Sequence, residues 1–336
     1  LHRTASASWF VVDSRHDHTT PRVTTITLPL RSYEPGGAPE RMIENNAVSQ
    51  GDVAAQAAAQ ADDMPHLDPV SQDKLASLLQ TQVPNFTEMS DLPSTIFIFA
   101  GEGAHSASPD LTVLKTSPSW ATCDAALQEL LGRGLKDFLS AESGNHKAPV
   151  SPLVTTLINI LHADLWRHWG YAPTFVLGHS IGEVAAAYVA GLFSIKEALE
   201  LAHQLGRVAA DLPGAMVHTV VPAASLNNFP HKGLHLAAVN NPLPDSTSVS
   251  VSLCGSERHT AEWLASDEGA TKLNPAHPWH HPLYRTTAAF GAFSAGFRPP
   301  NAYATSTCHF VSATKVALLT SVDAAHWENW LTAPVQ

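Results

Sequence analysis

Residues 178–182 read Gly-His-Ser-Ile-Gly, with the apolar run FVL before them and the helix-forming run EVAAAYVAG closely after. A serine with a glycine two places away on each side, between strand-like and helix-like runs, fits a nucleophile elbow. The turn holds the serine in a strained backbone conformation and crowds both flanking positions, so glycine is required there for steric reasons. It also sets Ser180 at a helix N-terminus, where positive partial charge favours a developing anion. The Ile181 N–H can then form half of an oxyanion hole. The chemistry such an arrangement supports is acyl transfer through an acyl-serine. A serine hydroxyl is a poor nucleophile unless a base takes its proton, so a histidine must come from elsewhere in the chain. His179 is adjacent, but neighbouring side chains on so tight a turn diverge. The segment HPWHHP at 277–282 is the better source.

These residues need a scaffold, and the apolar pattern supplies one. The run 96–100 is unbroken and ends at Gly101, as expected of a strand buried on both faces of a parallel sheet. A helix follows in SPLVTTLINILHADLWRHWG, with Val154, Leu157, Leu161, Leu165 and Trp169 on one stripe, Pro152 near its start and Gly170 just past its end. PTFVLG is a second buried strand and leads into the serine turn. Ser194 and Glu197 form a capping box for the next helix, whose stripe is Ile195, Ala198, Leu199, Ala202, Leu205 and Ala209. After Gly214 the texture changes to strands at 216–221, 234–239, 248–253 and 271–273, with helices at 223–229 and 256–265. That β-α-β-β-α-β order is the split pattern of a ferredoxin-like unit. The expected fold class is therefore α/β. A hydrolase-like parallel-sheet subdomain is made by 95–213 and 274–336, and a ferredoxin-like small subdomain is inserted at 214–273. Residues 1–94 read as a linker or small adaptor, with one strand in VTTITLPL and a helix at 71–80.

Bulk composition narrows the partners. The chain has 336 residues, 44% of them hydrophobic, and a net charge of −11 with only 19 Lys and Arg. That balance argues against a nucleic-acid partner, which needs a basic footprint. No apolar run approaches the roughly 20 residues of a membrane span. Cys123, Cys254 and Cys308 are far apart, and the 19 histidines show no metal-ligand spacing. Free thiols in a reducing compartment are expected, cytoplasmic or organellar, with no metal. The opening LHRTAS has neither a Met nor a signal-peptide pattern, so the chain reads as a piece of a longer protein.

Several ordered motifs together are more specific than one elbow. FIFAGEGAH resembles F-x-F-x-G-Q-G-x-Q, and LWRHWGYAPTFVLGHSIGEVAAAYVAGLFSIKEAL resembles a nucleophile block. AAVNNP resembles A-A-V-N-x-P, WHHP resembles F-H-S-P, and VDAAHWENWLTAPVQ resembles L-D-x-x-Y-W…P-V-x-F. All belong to the acyltransferase domains of polyketide synthases and the malonyl transacylases of fatty-acid synthesis, and the resemblance covers 95–336. It implies that Ser180 is the nucleophile and His280 the general base in a Ser–His dyad. A main-chain carbonyl near the PVQ end, assigned to Gln336, would orient the imidazole. Glu102 falls at the family glutamine whose backbone N–H completes the oxyanion hole with Ile181. His179, Asn240 and Trp279 fall beside the substrate, although Asn240 reads equally as a loop cap. No bound cofactor is implied. The substrates would be acyl-coenzyme A and a phosphopantetheinylated acyl carrier protein, with neighbouring synthase domains such as a ketosynthase as partners.

Departures from the pattern bear on the acyl group. Leu205 stands where malonyl-loading members carry the arginine that pairs with the substrate carboxylate. Arg207 matches a second arginine but lies about 200° around the helix and cannot replace it. An unpaired buried carboxylate is costly, so a small uncharged starter group is expected. Trp279 would limit bulk at its Cα. With His277, however, Trp279 also resembles the motif of malonyl-preferring members, so a malonyl-specific extender enzyme is an alternative. Ser151 and His105 each replace a glutamine. A hydrolase is a second alternative and would need a triad acid, with Asp211, Asp245 and Asp267 in the right interval. A degenerate docking module is a third.

Overall fold

Chain order shows how two sheets arise. The computed structural model describes residues 95–104, 111–140, 148–242, 247–273, 277–300 and 308–336, together with the backbone of 8–13 and 22–27. In the N-terminal region, Ser8–Asp13 pairs antiparallel with Arg22–Thr27, so the strand expected in VTTITLPL has a partner strand before it. The helix expected at 71–80 lies outside the described residues, as do His105 and Asp245.

Strand β1 (Ile96–Phe99) opens the main body. Helices α1 (Trp120–Leu131) and α2 (Val150–His168) follow, then β2 (Phe175–Gly178), α3 (Gly182–Val189) and α4 (Ile195–Ala210). The chain then makes β3 (Ala215–Pro222), β4 (Leu234–Pro242), β5 (Ser248–Gly255), α5 (Glu257–Ser266) and the short β6 (Thr271–Lys272). It returns through α6 (Ala288–Gly296), β7 (His309–Ser312), β8 (Ala317–Leu319) and α7 (Ala324–Thr332).

The first sheet has the order β8-β7-β2-β1. Strands β1, β2 and β7 are parallel, and Phe99 stands opposite Gly178 at the carboxyl ends of β1 and β2. Strand β8 is antiparallel to β7, so the expected parallel sheet carries one antiparallel edge. Its core is the contact of α2, α3 and α4, with Val154, Leu157, Leu161, Val184, Leu199, Ala202 and Leu205 all fully buried. Helix α2 is buried along most of its length, and its expected stripe ends one turn early. Trp169 is 41% exposed and caps the helix, while Leu165 is the last buried member. The capping box at Ser194 is formed reciprocally, the Glu197 N–H donating to Ser194 Oγ and the Ser194 N–H to the Glu197 carboxylate.

The second sheet is antiparallel with order β4-β5-β3-β6. In chain order that is 2-3-1-4, the arrangement that results when two split β-α-β units interleave. The residues at 223–228 form a 3-10 turn rather than an α-helix. One face of this sheet buries Val217, Val221, Leu234, Val249, Val251 and Leu253 under Leu226, Trp263 and Leu264. Residues of the other face, including Met216 and Cys254, join the core of the first sheet. Alternation along the strands therefore fastens one sheet to the other. The C-terminus adds to the joint: Val335 N–H donates to the Ala237 carbonyl and Val239 N–H to the Val335 carbonyl, both at 2.9 Å.

Candidate active site

Two adjacent parallel strands deliver two turns to one place. Strand β2 ends at Gly178 and β1 at Phe99, and the His179 N–H donates to the Phe99 carbonyl at 2.9 Å. The turn after β2 holds Ser180 at φ 52°, in the left-handed region that a residue with a Cβ rarely adopts. Both flanking glycines are sterically required. A Cβ on Gly178 would lie 2.1 Å from the Gly182 carbonyl carbon, and one on Gly182 would lie 2.4 Å from the Phe99 carbonyl oxygen. These neighbours are backbone atoms and cannot swing aside.

The second strand system supplies the base. The chain leaves β6, returns through 277–282, and holds His280 at φ 60°. Ser180 Oγ lies 2.8 Å from His280 Nε2, and both side chains are buried. His280 Nδ1 lies 2.7 Å from the Trp330 carbonyl oxygen. A carbonyl only accepts, so Nδ1 carries the proton and Nε2 presents its lone pair to the serine hydroxyl. Burial lowers the His280 pKa from 6.5 to about 4, against the opposing effect of the Trp330 hydrogen bond, and keeps the ring neutral near pH 7. Trp330 grips the elbow as well, since its indole N–H donates to the Ser180 carbonyl at 3.3 Å. Its ring packs edge-on against His280 with centroids 4.9 Å apart.

The Gln336 carbonyl was expected to orient His280, and the structure corrects this. Trp330, in the last turn of α7, does so. Gln336 instead donates its N–H to the Ala313 carbonyl at 3.1 Å. The hydrogen bonds of β4 draw Val335 and its neighbour away toward the second sheet, which leaves the carbonyl six residues earlier beside the imidazole.

His179 Nε2 lies 3.3 Å from Asn240 Oδ1, and the Asn240 side-chain amide donates to Ser252 Oγ at 3.3 Å. Asn240 thus bridges β4 and β5 to the elbow rather than capping its own loop. A cavity of about 140 Å³ opens beside the dyad and is lined by Glu102, His179, Ser180, Trp279 and His280 from the first sheet's side. Met216, Ala238, Ser252 and Leu273 line the other side. Leu205, expected among the substrate-binding residues, does not line it. Leu205 is fully buried in the core that α4 shares with the first sheet and its helices. Arg207 is exposed. Among the described residues, no lysine or arginine lines the cavity.

Glu102 follows β1 at the mouth of the same cavity. Among the described residues no backbone carbonyl takes the N–H of Glu102 or of Ile181. The Glu102 carboxylate is held by the histidine segment: its Oε2 accepts from His277 Nε2 at 3.1 Å and from the Trp279 indole N–H. Burial works to raise the Glu102 carboxyl, but the hydrogen bond and charge of the adjoining His277, with hydrogen bonds from Ser151 and Trp279, together more than offset it and hold the group below the usual carboxylate range. The roles of Trp330 and of the Glu102 side chain were absent from the sequence expectations. The first is a main-chain role with no residue signature, and the second depends on partners 175 and 177 positions away.

Of the acids weighed for a hydrolase triad, Asp211 accepts from the Ala289 N–H at 3.0 Å, and Asp267 accepts from the Thr219 hydroxyl and the Gly269 N–H. Neither is bonded to His280, whose Nδ1 is occupied by Trp330.

The sequence model of the acyl transferase domain matches residues 96–336. This chain belongs to the acyl transferase domain family. Similar relatives of this acyl transferase domain include a highly reducing polyketide synthase of Pyrenophora dematioidea, 35% identical over 192 residues, which are 52% of this chain and 7% of that protein. The spectinabilin polyketide synthase system protein NorB of Streptomyces orinoci is 30% identical over 205 residues, 55% of this chain and 9% of that protein. The chain thus spans less than a tenth of these two synthases. Among solved structures, a loading acyltransferase from the avermectin modular polyketide synthase matches with TM-score 0.61 and 25% identity, covering 71% of this chain and 80% of that one. The malonyl transacylase of Streptococcus pneumoniae shares the α/β fold, with TM-score 0.58 at 19% identity over 71% of this chain and 81% of that one. No helix among the described residues of this acyl transferase domain is long and apolar enough to cross a membrane.

Proposed function

We propose that this acyl transferase domain moves a small uncharged acyl group from acyl-coenzyme A, through an acyl ester on Ser180, to the phosphopantetheine thiol of an acyl carrier protein. The observation that carries the reading is the Ser180–His280 contact at 2.8 Å, with His280 Nδ1 fixed on the Trp330 carbonyl. In the first half-reaction Ser180 Oγ attacks the thioester carbonyl carbon while its proton passes to His280 Nε2. The N–H groups of Ile181 and Glu102 hold the oxyanion. The C–S bond then breaks, and His280 returns the proton to the departing coenzyme A sulfur. In the second half-reaction the carrier thiol gives its proton to His280 and attacks the ester. The C–O bond breaks, and the proton goes back to Ser180. The Trp330 carbonyl stabilises the transient imidazolium, as an acid would in a triad.

Two features support a small and uncharged group. The cavity is about 140 Å³, and one on the order of 150 Å³ holds a benzene-sized molecule. Among the described residues, its lining includes no lysine or arginine to pair with a malonyl carboxylate. An acyl carrier protein and an adjoining ketosynthase are the partners we infer for the parent synthase. Electrospray mass measurement of Ser180 after incubation with acetyl-, propionyl- and malonyl-coenzyme A tests the reading, followed by addition of carrier protein or buffer alone. Acyl-Ser180 that persists in buffer and discharges onto the carrier is expected. Rapid loss to water would make the protein a hydrolase, and absence of any adduct would leave only a docking role.

A further inference from the structure

We infer that the Glu102 carboxylate is a built-in occupant of the anion subsite of the acyl pocket, and that it excludes acyl groups bearing a carboxylate. The inference rests on the acyl-Ser180 reading above and adds to it the residue that sets the substrate's charge.

Two N–H donors meet the cavity-lining Glu102, His277 Nε2 and the indole N–H of the cavity-lining Trp279, and both are spent on Glu102 Oε2. A substrate carboxylate entering here would need such donors and would find them taken. It would also meet a like charge. Glu102 and His277 are each 3% exposed in their side chains, so solvent screens little of that charge. Besides His277 and Trp279, the Ser151 hydroxyl is the one further side-chain group that favours the ionised carboxylate. His277 balances part of the Glu102 charge, and the described cavity-lining residues supply no lysine or arginine to offset the rest. An uncharged acyl group pays none of these costs. Specificity here is achieved by a repulsive element rather than by an added contact. Because the carboxylate hangs from a residue whose backbone N–H faces the reacting carbonyl, the filter acts within reach of the acyl chain without altering the main-chain donor.

The test is the ratio of Ser180 acylation rates from malonyl- and acetyl-coenzyme A in a single-turnover mixture, read by mass, so that each variant is its own control. Wild type favours acetyl. In Glu102→Ala the malonyl-to-acetyl ratio rises roughly tenfold or more, because His277 and Trp279 are freed for the incoming carboxylate. Millimolar formate, a free carboxylate small enough for the vacated place, pushes the ratio back. Glu102→Gln, which keeps an acceptor but loses the charge, gives an intermediate ratio and serves if the alanine variant does not fold. An unchanged ratio in a folded variant that still acylates from acetyl-coenzyme A overturns the inference. So does a wild type that takes malonyl as fast as acetyl, whatever the variants do. Absence of acyl-Ser180 from every donor in wild type is a different result, and it overturns the acyltransfer reading itself.

Discussion

The neutral, buried His280 predicts an acid limb far from where a free histidine would put it. The imidazole is needed in its neutral form to accept the Ser180 proton, and burial lowers its pKa from 6.5 to about 4. At pH 5 a group titrating near 4 is about nine-tenths neutral, whereas one near 6.5 is only about 3% neutral. Single-turnover acylation of Ser180 at pH 5 is therefore expected to run within a few tens of per cent of its rate at pH 8. An unshifted base would lose roughly thirtyfold. The same shift acts on stability. The unfolded chain takes up a proton on this residue as pH falls below 6.5, while the folded chain resists until about 4. Stability is thus fully present above the unfolded value and is lost through the window from 6.5 down to 4, by up to about 3 kcal/mol for this group. His162 and His326, also lowered to about 4 by burial, add to the loss in the same window. The assay must separate the two effects. Protein held at pH 8 is jumped to each test pH with acetyl-coenzyme A, quenched within seconds, and compared with tryptophan fluorescence and with recovery on return to pH 8. A reversible limb centred near 6.5 with fluorescence unchanged would refute the argument, because it would show that the base is solvated or that Nε2 is not the acceptor.

Other perturbations have simpler expectations. His280→Gln keeps the bulk of the site and loses the base, so Ser180 acylation should slow by about 10²–10⁴-fold with little change in thermal stability. Gly178→Ala places a Cβ 2.1 Å from the Gly182 carbonyl carbon. A backbone clash at a strained turn should cost about 3 kcal/mol or more, read as a lower melting temperature and a lost acyl adduct together.

What the sequence reveals and conceals follows from where each constraint resides. The elbow is legible because its requirement is local: two glycines and a serine within five residues, a pattern that steric exclusion explains without tertiary knowledge. The Ser194 cap and the α4 stripe are legible for the same reason. His280 is a hundred positions from Ser180, and the residues alone narrow it only to a histidine-rich segment, while the family resemblance selects the position. The orienting carbonyl is hidden, since any residue has one. The pairing of Val335 with β4 decides that Trp330 supplies it in place of Gln336. Leu205 shows the opposite failure. Its helical stripe correctly marks it as buried, but burial in a core and burial in a pocket wall give the same pattern.

Trp279 offers a way to separate size from charge in this pocket. It is 2% exposed, lines the cavity, and stands 5.4 Å from the Trp330 ring and 6.4 Å from His280, centroid to centroid. Trp279→Phe keeps an aromatic face toward Trp330 but removes one ring's worth of bulk and the N–H that Glu102 accepts. The two losses point in different directions. Extra room admits branching at the acyl Cα, and a methyl-sized change in such a pocket is worth about 1–3 kcal/mol, or roughly 10–200-fold in rate ratio. The isobutyryl-to-acetyl ratio of Ser180 acylation should therefore rise by about tenfold or more. Malonyl should remain excluded, because Glu102 keeps its charge and has lost a donor that partly balanced it. Glu102→Ala should behave in the reverse sense, admitting malonyl and leaving the isobutyryl ratio near that of wild type. If Trp279→Phe admits isobutyryl and malonyl alike, volume alone governs entry, and the charge on Glu102 is irrelevant to the choice of acyl group.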